Sequence, residues 1–255
     1  MLTRSVLTIA AGLLAALPLA AQEPVRPTQV RVHVVSRDAK LIGSAVGGIW
    51  VTIRDATTGR TLAEGLHTGG TGDLRRIMQA PRLRDSTLFT TEGAARFTAT
   101  IPLTRPTPVI VSAHGPLNFP DQAVTVTKQL LLVPGEDLLG DGVVLEMHGL
   151  IVEVLEPTVA ALTAGEAISI RARVRMMCSC PTGPDQLWSA GTVRARLLQD
   201  DLVVEEAVLP ASGEGSLYAG RITAPSAGRY VLEVLASDPA RVNAGVARRE
   251  VVVRP

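Results

Sequence analysis

The 255-residue sequence predicts an all-β protein that consists of two consecutive antiparallel β-sandwich domains after a signal peptide. Three observations predict this fold class. Apolar and polar residues alternate with a period of two in many short runs, which is the pattern of half-buried strands. Gly, Asp, Asn and Pro separate these runs, as turns between strands require. No stretch shows an amphipathic helical period of useful length, and the chain is longer than one small sandwich needs.

Residues 1–21 (MLTRSVLTIAAGLLAALPLAA) are predicted to be a secretory signal peptide. Arg4 precedes an apolar run from Val6 to Leu17, and Ala20 and Ala21 precede the expected cleavage point. The alternative is an uncleaved N-terminal anchor. The run is shorter than the ~20 residues of a comfortable membrane span, which favours the signal peptide. No later stretch is long and apolar enough to span a membrane. We therefore expect a periplasmic or secreted protein that does not span the membrane.

The charge balance excludes several classes of partner. Lys and Arg total 25 and Asp and Glu total 24, and removal of residues 1–21 takes away one Arg and no acid. The mature chain is therefore formally neutral, which argues against nucleic acid or an anionic membrane surface as a partner. Hydrophobic residues make up 46% of the chain, enough to build a core and to exclude global disorder.

The first domain is predicted to cover residues 29–148, after a Pro-rich, flexible lead-in at 22–28 (QEPVRPT). Residues 54–60 (RDATTGR) have Asp early and Gly late, which suits a hairpin loop. Residues 74–93 have no clean period, and we interpret them as a long excursion with room for one helical turn. Strands are predicted at 30–35, 49–53, 94–101, 107–114, 122–131 and 143–148.

The second domain is predicted to cover residues 149–255. Its seven runs in about one hundred residues are typical of an immunoglobulin-like sandwich. The linker around Met147-His148-Gly149 is very short, so we expect the domains to touch and their relative motion to be restricted. The predicted strands are 149–155, 166–177, 191–199, 202–208, 216–223, 228–237 and 246–253.

The second domain resembles bacterial immunoglobulin-like domains. The residues that carry the resemblance are 224–234 (APSAGRYVLEV), 236–238 (ASD), and Asn243 with Gly245. Members commonly show a Pro…Gly-x-Tyr turn into a strand, followed by an Asp and an Asn-x-Gly turn. The resemblance covers about 149–253 and implies an architecture, but almost nothing about function.

The first domain resembles, more loosely, the transthyretin-like and carboxypeptidase-regulatory-like sandwiches. Residues 48–59 (GIWVTIRDATTG) match their strand followed by an Asp…Gly turn, whereas residues 69–73 (GGTGD) replace their usual acidic-Gly turn. Members that hydrolyse hydroxyisourate end in Tyr-Arg-Gly-Ser. That motif is absent from this chain, so their activity is not implied.

One cluster of sulfur atoms carries possible chemistry. Met176, Met177, Cys178 and Cys180 fall within five positions, and the chain has only two Cys and five Met. Soft sulfur ligands favour Cu(I), so these four residues form a candidate copper site. A thiolate pair could also cycle between thiol and disulfide in an exported protein. A structural Cys178–Cys180 disulfide or buried thiols beside core Met residues is the third interpretation.

Topology places further candidates beside this cluster. In an immunoglobulin-like sandwich, the loops after the second and sixth strands and the start of the first strand lie at one end. That end faces the first domain here, so His148 is a candidate extra metal ligand, or else an ordinary linker residue. Trp188, Asp185 and Asp238 lie at the same end and are candidate binding residues. For Trp188 the alternative is that it caps the sandwich core.

The remaining motifs do not suggest catalysis. Residues 69–72 (GGTG) lack the Lys and Ser/Thr of a phosphate-binding loop, and the acidic residues 135–142 do not match a calcium loop. No Gly-x-Ser-x-Gly elbow exists, and the four His residues share no metal-ligand spacing. We therefore predict no enzyme and no cofactor. The leading hypothesis is an exported binding or interaction module of the bacterial cell envelope with a protein partner. The alternative is a periplasmic copper-binding or metal-trafficking protein.

Overall fold

A computed structural model describes residues 24–158, 161–213 and 215–255. Within this part of the chain, fifteen strands form four sheets that stack in two pairs. The predicted fold class, two consecutive β-sandwiches, is confirmed. The predicted signal peptide, residues 1–21, lies outside the described residues. None of the helices in the described ranges is long and apolar enough to cross a membrane.

The first sandwich contains strands β1 to β7. One sheet has the strand order β4-β1-β7 and the other has the order β3-β2-β5-β6. β1 runs antiparallel to β4 and parallel to β7. The strands are β1 Arg26–Ser36, β2 Ile49–Asp55, β3 Thr61–His67, β4 Phe97–Leu103, β5 Thr107–Gly115, β6 Val124–Leu132 and β7 Leu138–Met147.

The alternation seen in the sequence produces the core of the first sandwich. Val30, Val32 and Val34 of β1 are fully buried between the sheets, as are Ile49 and Ile53 of β2. Burying each such side chain stabilises the fold by ~1.5–3 kcal/mol, so these two strands are strongly specified by their own sequence. Their predicted positions agree with the structure.

The lead-in predicted at 22–28 is wrong from Arg26 onward, because β1 begins there. Arg26 pairs with Leu103 of β4. Thr28 is fully buried, and its hydroxyl accepts a hydrogen bond of 2.9 Å from the backbone N–H of Gly135. The Pro-rich composition suggested a linker, but the register with β4 and this buried contact incorporate the segment into the sheet.

The turn predicted at 54–60 is a hairpin loop whose second strand, β3, was not predicted. The carboxylate of Asp55 accepts hydrogen bonds from the backbone N–H groups of Thr57 (2.8 Å) and Thr58 (2.9 Å). These bonds, first that from Thr58, lower the pKa of Asp55. Such an Asp-led turn reverses the chain and lets β3 pair with β2. The predicted long excursion, residues 74–93, contains one helical turn, Arg75–Gln79. We refer to residues 74–93 below as the excursion.

The second sandwich contains strands β8 to β15. One sheet has the strand order β13-β10-β8 and the other has the order β12-β11-β14-β15-β9. The unpredicted β9 is three residues long and runs parallel to β15. The strands are β8 Leu150–Glu156, β9 Ala161–Thr163, β10 Ala167–Met176, β11 Thr192–Gln199, β12 Leu202–Val208, β13 Leu217–Thr223, β14 Gly228–Asp238 and β15 Asn243–Arg254.

This second strand order is that of an immunoglobulin-like sandwich. β8, β10 and β13 correspond to strands A, B and E, and β11, β14 and β15 to C, F and G. Tyr230, near the start of β14, donates a hydrogen bond of 3.0 Å from its hydroxyl to the carbonyl of Ser226. This contact is the tyrosine corner of such folds. In the first sandwich, by contrast, β1 and β2 belong to different sheets, so its order is not the immunoglobulin one.

Candidate functional site

The two cysteines lie in a tight turn at the end of β10. The backbone N–H of Met176 donates to the carbonyl of Cys180 (3.0 Å), and Ser179 adopts a left-handed conformation with φ of 66°. The turn brings the Cα atoms of Cys178 and Cys180 to 5.4 Å, and their sulfur atoms form a disulfide. This separation is within the usual range for a disulfide, whereas two residues apart on an extended strand would be at its limit.

The two methionines do not join the cysteines in a common site. Met176 packs into the core of the second sandwich, whereas Met177 packs into the core of the first. The four sulfur atoms are thus divided between two cores, and the cysteine sulfurs are bonded to each other rather than available as thiolates. Among the described residues, no group of three or more His, Cys, Asp or Glu side chains could hold a metal ion.

His148 is exposed and contacts the turn that precedes β15. Its Nδ1 lies 3.0 Å from the carbonyl oxygen of Val242, and since a carbonyl only accepts, Nδ1 carries the proton. Its Nε2 lies 3.7 Å from a carboxylate oxygen of Glu146. His148 and Met177 line the same cavity of about 210 Å³ between the two sandwiches. The structure therefore brings His148 near a methionine of the cluster, but its Nδ1 is occupied by a backbone contact.

Trp188 and Asp238, two predicted binding residues, help to hold the sandwiches together. Trp188 is buried in the core of the second sandwich, and its Nε1 donates a hydrogen bond of 2.8 Å to the carbonyl of Asp38 in the first. Arg241 donates from Nε to the Asp38 carboxylate (2.8 Å) and from Nη1 to the Asp238 carboxylate (2.9 Å). These contacts, first the hydrogen bond to Asp238, raise the pKa of Arg241.

Asn243 adds a second connection at this junction. Its side-chain oxygen accepts a hydrogen bond of 2.9 Å from the backbone N–H of Gly149, and its side-chain nitrogen lies 3.4 Å from the carbonyl of Arg37. Nearby, the side chain of Gln122 exchanges two hydrogen bonds, of 2.6 and 2.7 Å, with the backbone of Val152. The junction is therefore built from specific polar contacts around the predicted cluster.

Asp185, the third predicted binding residue, is exposed in the loop 182–188. It lines a different cavity from the one that includes Arg241. Asp38 and Arg241 were not predicted from the sequence. They are 203 positions apart, and only the contact between the two sandwiches brings them together.

The most exposed apolar strand of the second sandwich is β12. It forms the edge of the five-stranded sheet, where it pairs with β11 alone. Leu202 is 71% exposed and Val208 is 59% exposed, and Val203 and Val204 between them are also exposed. An apolar edge strand with unpaired backbone groups is a template for an additional strand, and proteins usually protect such an edge with charge, Pro or a covering loop. The sequence predicted this strand but not its exposure.

The sheet next to this edge has its charges paired within itself. Glu206, Arg196, Glu233 and Arg248 lie opposite one another in one row across β12, β11, β14 and β15. Arg196 lies 2.6 Å from Glu206, and Arg248 lies 2.8 Å from Glu233. These charges neutralise one another, so β12 presents to solvent its exposed apolar side chains together with the carboxylate of Glu205.

Comparison with known proteins does not assign this chain to a family. No protein-family model and no curated protein matches the chain. Among solved structures, fibronectin(III)-like modules of CbhA from Clostridium thermocellum align at 14% identity and a TM-score of 0.26, over 89% of this chain and 92% of theirs. A DUF3823 family protein from Parabacteroides merdae aligns at 9% identity and a TM-score of 0.28, over 91% of this chain and 100% of its own.

An engineered protein aligns at 17% identity and a TM-score of 0.32, over 48% of this chain and 25% of its own length. This chain therefore spans a quarter of that protein, but nearly all of the other two. At such TM-scores these likenesses carry no argument about fold or function. The assignment of two β-sandwiches rests on the strands and sheets of the protein itself.

Proposed function

We propose that this protein is a non-catalytic binding module of the bacterial cell envelope that captures an extended segment of a partner protein along strand β12. The observation that carries the proposal is the exposed apolar edge formed by Leu202–Val208. An extended peptide that adds to a sheet edge gains main-chain hydrogen bonds, and the alternating side chains provide specificity. The exposed valines and Leu202 favour a partner segment that is itself apolar.

The junction supports this role in a second way. Trp188 and Asn243 connect the two sandwiches through hydrogen bonds. Asp238 binds Arg241, whose Nε donates to Asp38 of the first sandwich. A binding edge on a body that does not reorient freely loses less entropy on association, which favours affinity. The envelope location rests on the predicted signal peptide at 1–21.

Site-specific photo-crosslinking in the native host tests the proposed edge. A photoreactive amino acid replaces Val203 or Val208 on β12, and the full-length protein is expressed at its normal level. We expect one discrete adduct with an envelope protein at both positions. A matched control replaces Val252, an exposed residue on β15 of the same sheet, and should give no adduct.

Substitution of the edge residues completes the test. Val203→Lys and Val208→Lys place charges on the edge, which disfavours the addition of a strand. We expect the adduct to be lost while circular dichroism and the melting temperature stay unchanged. Adducts of equal yield at Val252, or adducts that survive both lysine substitutions, would contradict the edge as the binding surface.

Localisation is tested separately. Osmotic-shock fractionation should place the protein outside the cytoplasm, and intact mass analysis should show a mature N-terminus close to Gln22. A cytoplasmic protein that retains Met1 would contradict the envelope part of the proposal and leave the edge-binding part to the crosslinking result.

A further inference from the structure

The excursion covers the outer face of the β4-β1-β7 sheet. A small apolar cluster, separate from the two main cores, lies beneath it. The cluster includes Phe89 from the excursion and Val35 from β1. The face of a three-stranded sheet that would otherwise be exposed to water is therefore buried by a long loop. Its buried members are Val35, Leu41, Ile77, Phe89, Ala94 and Ala95.

His33 of β1 lies at the centre of this covered face. It is only 1% exposed, and its Nδ1 donates a hydrogen bond of 2.9 Å to the carbonyl of Ala95, just beyond the excursion. Its ring centroid lies 5.6 Å from that of Phe89. Its Nε2 is buried without a hydrogen-bond partner. A proton on Nε2 would leave the Nδ1 hydrogen bond in place but would put a charged N–H without an acceptor in this buried site.

His67, at the end of β3, is fully buried beside it. Pairing between β1 and β4 stops at Val32, and the Nε2 atom of His67 accepts a hydrogen bond of 3.1 Å from the backbone N–H of Val34. Because a backbone N–H can only donate, this Nε2 must be unprotonated. The two histidine rings meet edge to face with centroids 6.4 Å apart.

Few charges compensate this pair. Asp141 of β7 favours protonation of His33, whereas Arg31 of β1 opposes it. Both oxygens of the Asp141 carboxylate already accept hydrogen bonds from the excursion, at the backbone N–H groups of Leu88 and Phe89. Asp73, just before the excursion, accepts a hydrogen bond from the backbone N–H of Arg76, and the Arg76 side chain donates to the carbonyl of Thr87. After burial, the group that acts most on His67 is His33 of β1.

Burial has the expected effect on both groups. Loss of solvation lowers the pKa of His33, and it lowers the pKa of His67 to about 4, with the neighbouring His33 as the second cause. Both rings are therefore neutral in the folded protein at neutral pH. In the unfolded chain, histidine has a pKa of about 6.5, so acid favours conformations in which these rings reach water.

We propose that His33 and His67 form an acid-sensitive latch that releases the excursion from the outer face of the β4-β1-β7 sheet when the pH falls. A proton taken from water binds Nε2 of His67 and removes the acceptor of the Val34 N–H. A second proton on His33 would place two cations side by side in a buried site. Opening the excursion lets water solvate both rings and exposes the apolar cluster around Phe89.

Hydrogen exchange of the full protein, read by mass spectrometry and corrected for intrinsic pH effects, tests the latch. Between about pH 7.5 and about pH 4.5 we expect exchange in residues 74–95 to rise by about tenfold or more, and exchange in β14 and β15 to change far less. The variant His67→Gln supplies a non-titrating acceptor for the Val34 N–H. It should remove most of the pH effect while it keeps the protection at neutral pH.

The control is His114→Gln, which changes an exposed histidine of the same sandwich and should leave the pH profile as in the wild type. Since His67→Gln could fail to fold, a nuclear magnetic resonance titration of the wild-type histidine rings provides a second readout. We expect His67 to titrate well below the usual pKa of a histidine. Equal protection of residues 74–95 at both pH values, or ordinary titration of His67, would overturn the latch.

Discussion

The two sandwiches differ in how some of their buried polar side chains are hydrogen-bonded. In the second, the hydroxyl of Thr182 donates a hydrogen bond of 2.6 Å to the carbonyl of Val174 and lies 3.1 Å from the hydroxyl of Tyr218. In the first, His33 and His67 each keep a buried ring nitrogen without a partner. A buried polar group without a partner costs ~1–3 kcal/mol, so these two ring nitrogens reduce the stability of the first sandwich.

We therefore expect the two sandwiches to differ in how strongly their stability depends on pH. In the second sandwich the buried Thr182 hydroxyl is paired, and a tyrosine corner and a disulfide add further constraints. The first has a covering loop whose attachment depends on two neutral imidazoles. We expect acid pH to lower the stability of the first sandwich, and truncation of core side chains to lower the stability of the second.

The largest expected loss of stability comes from truncation of Trp188 in the second sandwich, and Trp50 in the first sandwich provides the comparison. Trp188→Ala removes a buried ring from the second core and the donor of the hydrogen bond to Asp38. Truncation of a buried aromatic residue typically costs ~3–5 kcal/mol. Trp50, on the outer face of β2, is 40% exposed, so Trp50→Ala should cost less than about 1 kcal/mol.

Urea denaturation followed by circular dichroism measures both free energies of unfolding. Trp50 also serves as the fluorescent reporter of the first sandwich in the Trp188→Ala variant. If Trp188→Ala lowers the free energy of unfolding no more than Trp50→Ala does, the core of the second sandwich does not depend on the Trp188 ring. That result would contradict the expected difference between the two sandwiches.

The next effect is the loss of stability of the first sandwich in acid. His67 has a folded-state pKa of about 4, below its unfolded value of about 6.5. The unfolded chain then binds more protons, so stability is complete above about pH 6.5 and falls as the pH drops towards 4. From this residue alone we expect a loss of ~2–3 kcal/mol by about pH 4.5, and burial of His33 adds a loss of the same sign.

Urea midpoints at several pH values, for the wild type and for His67→Gln, isolate this contribution from general acid effects on carboxylates. The free energy of unfolding of the wild type should fall relative to that of His67→Gln as the pH drops towards 4. Curves that stay parallel throughout would show that His67 does not titrate between these limits.

Local patterns made much of the fold predictable from the sequence. The runs of alternating Val and Ile that became β1 and β2 could be recognised without any partner, because a period of two already specifies which face is buried. The short strand β9 could not, since Ala161–Thr163 is too short to show a period. The start of β1 at Arg26 was missed because Pro27 is more typical of a linker, and only the register with β4 explains its place.

The candidate site was less predictable because it depends on long-range contacts. The turn chemistry around Pro181 suggested a disulfide between Cys178 and Cys180, but nothing local shows that Met176 and Met177 enter different cores. That outcome follows from the alternation of an extended chain at the junction of two sandwiches. His33 and His67 had no motif to mark them, and their burial became apparent only when the excursion was folded over β1.

A smaller effect than that of acid is expected from loss of the disulfide. In the chain-entropy description, a crosslink stabilises a protein by restricting the unfolded chain, and the effect grows with loop length. The Cys178–Cys180 loop is very short, with a sequence separation of 2. We therefore expect Cys178→Ser with Cys180→Ser to lower the free energy of unfolding by only ~1–2 kcal/mol. Thermal and urea denaturation of the double variant and the wild type measure the difference.

A larger loss would change the meaning of this turn. Met177 precedes Cys178 directly and packs in the first sandwich, so a turn that loosens could also withdraw Met177 from that core. Losing a buried Met costs ~2–5 kcal/mol. Met177→Ala in the disulfide-bonded protein separates the two contributions. If the double Ser variant is as unstable as Met177→Ala, the disulfide acts by holding the junction, and the two sandwiches are not independent in stability.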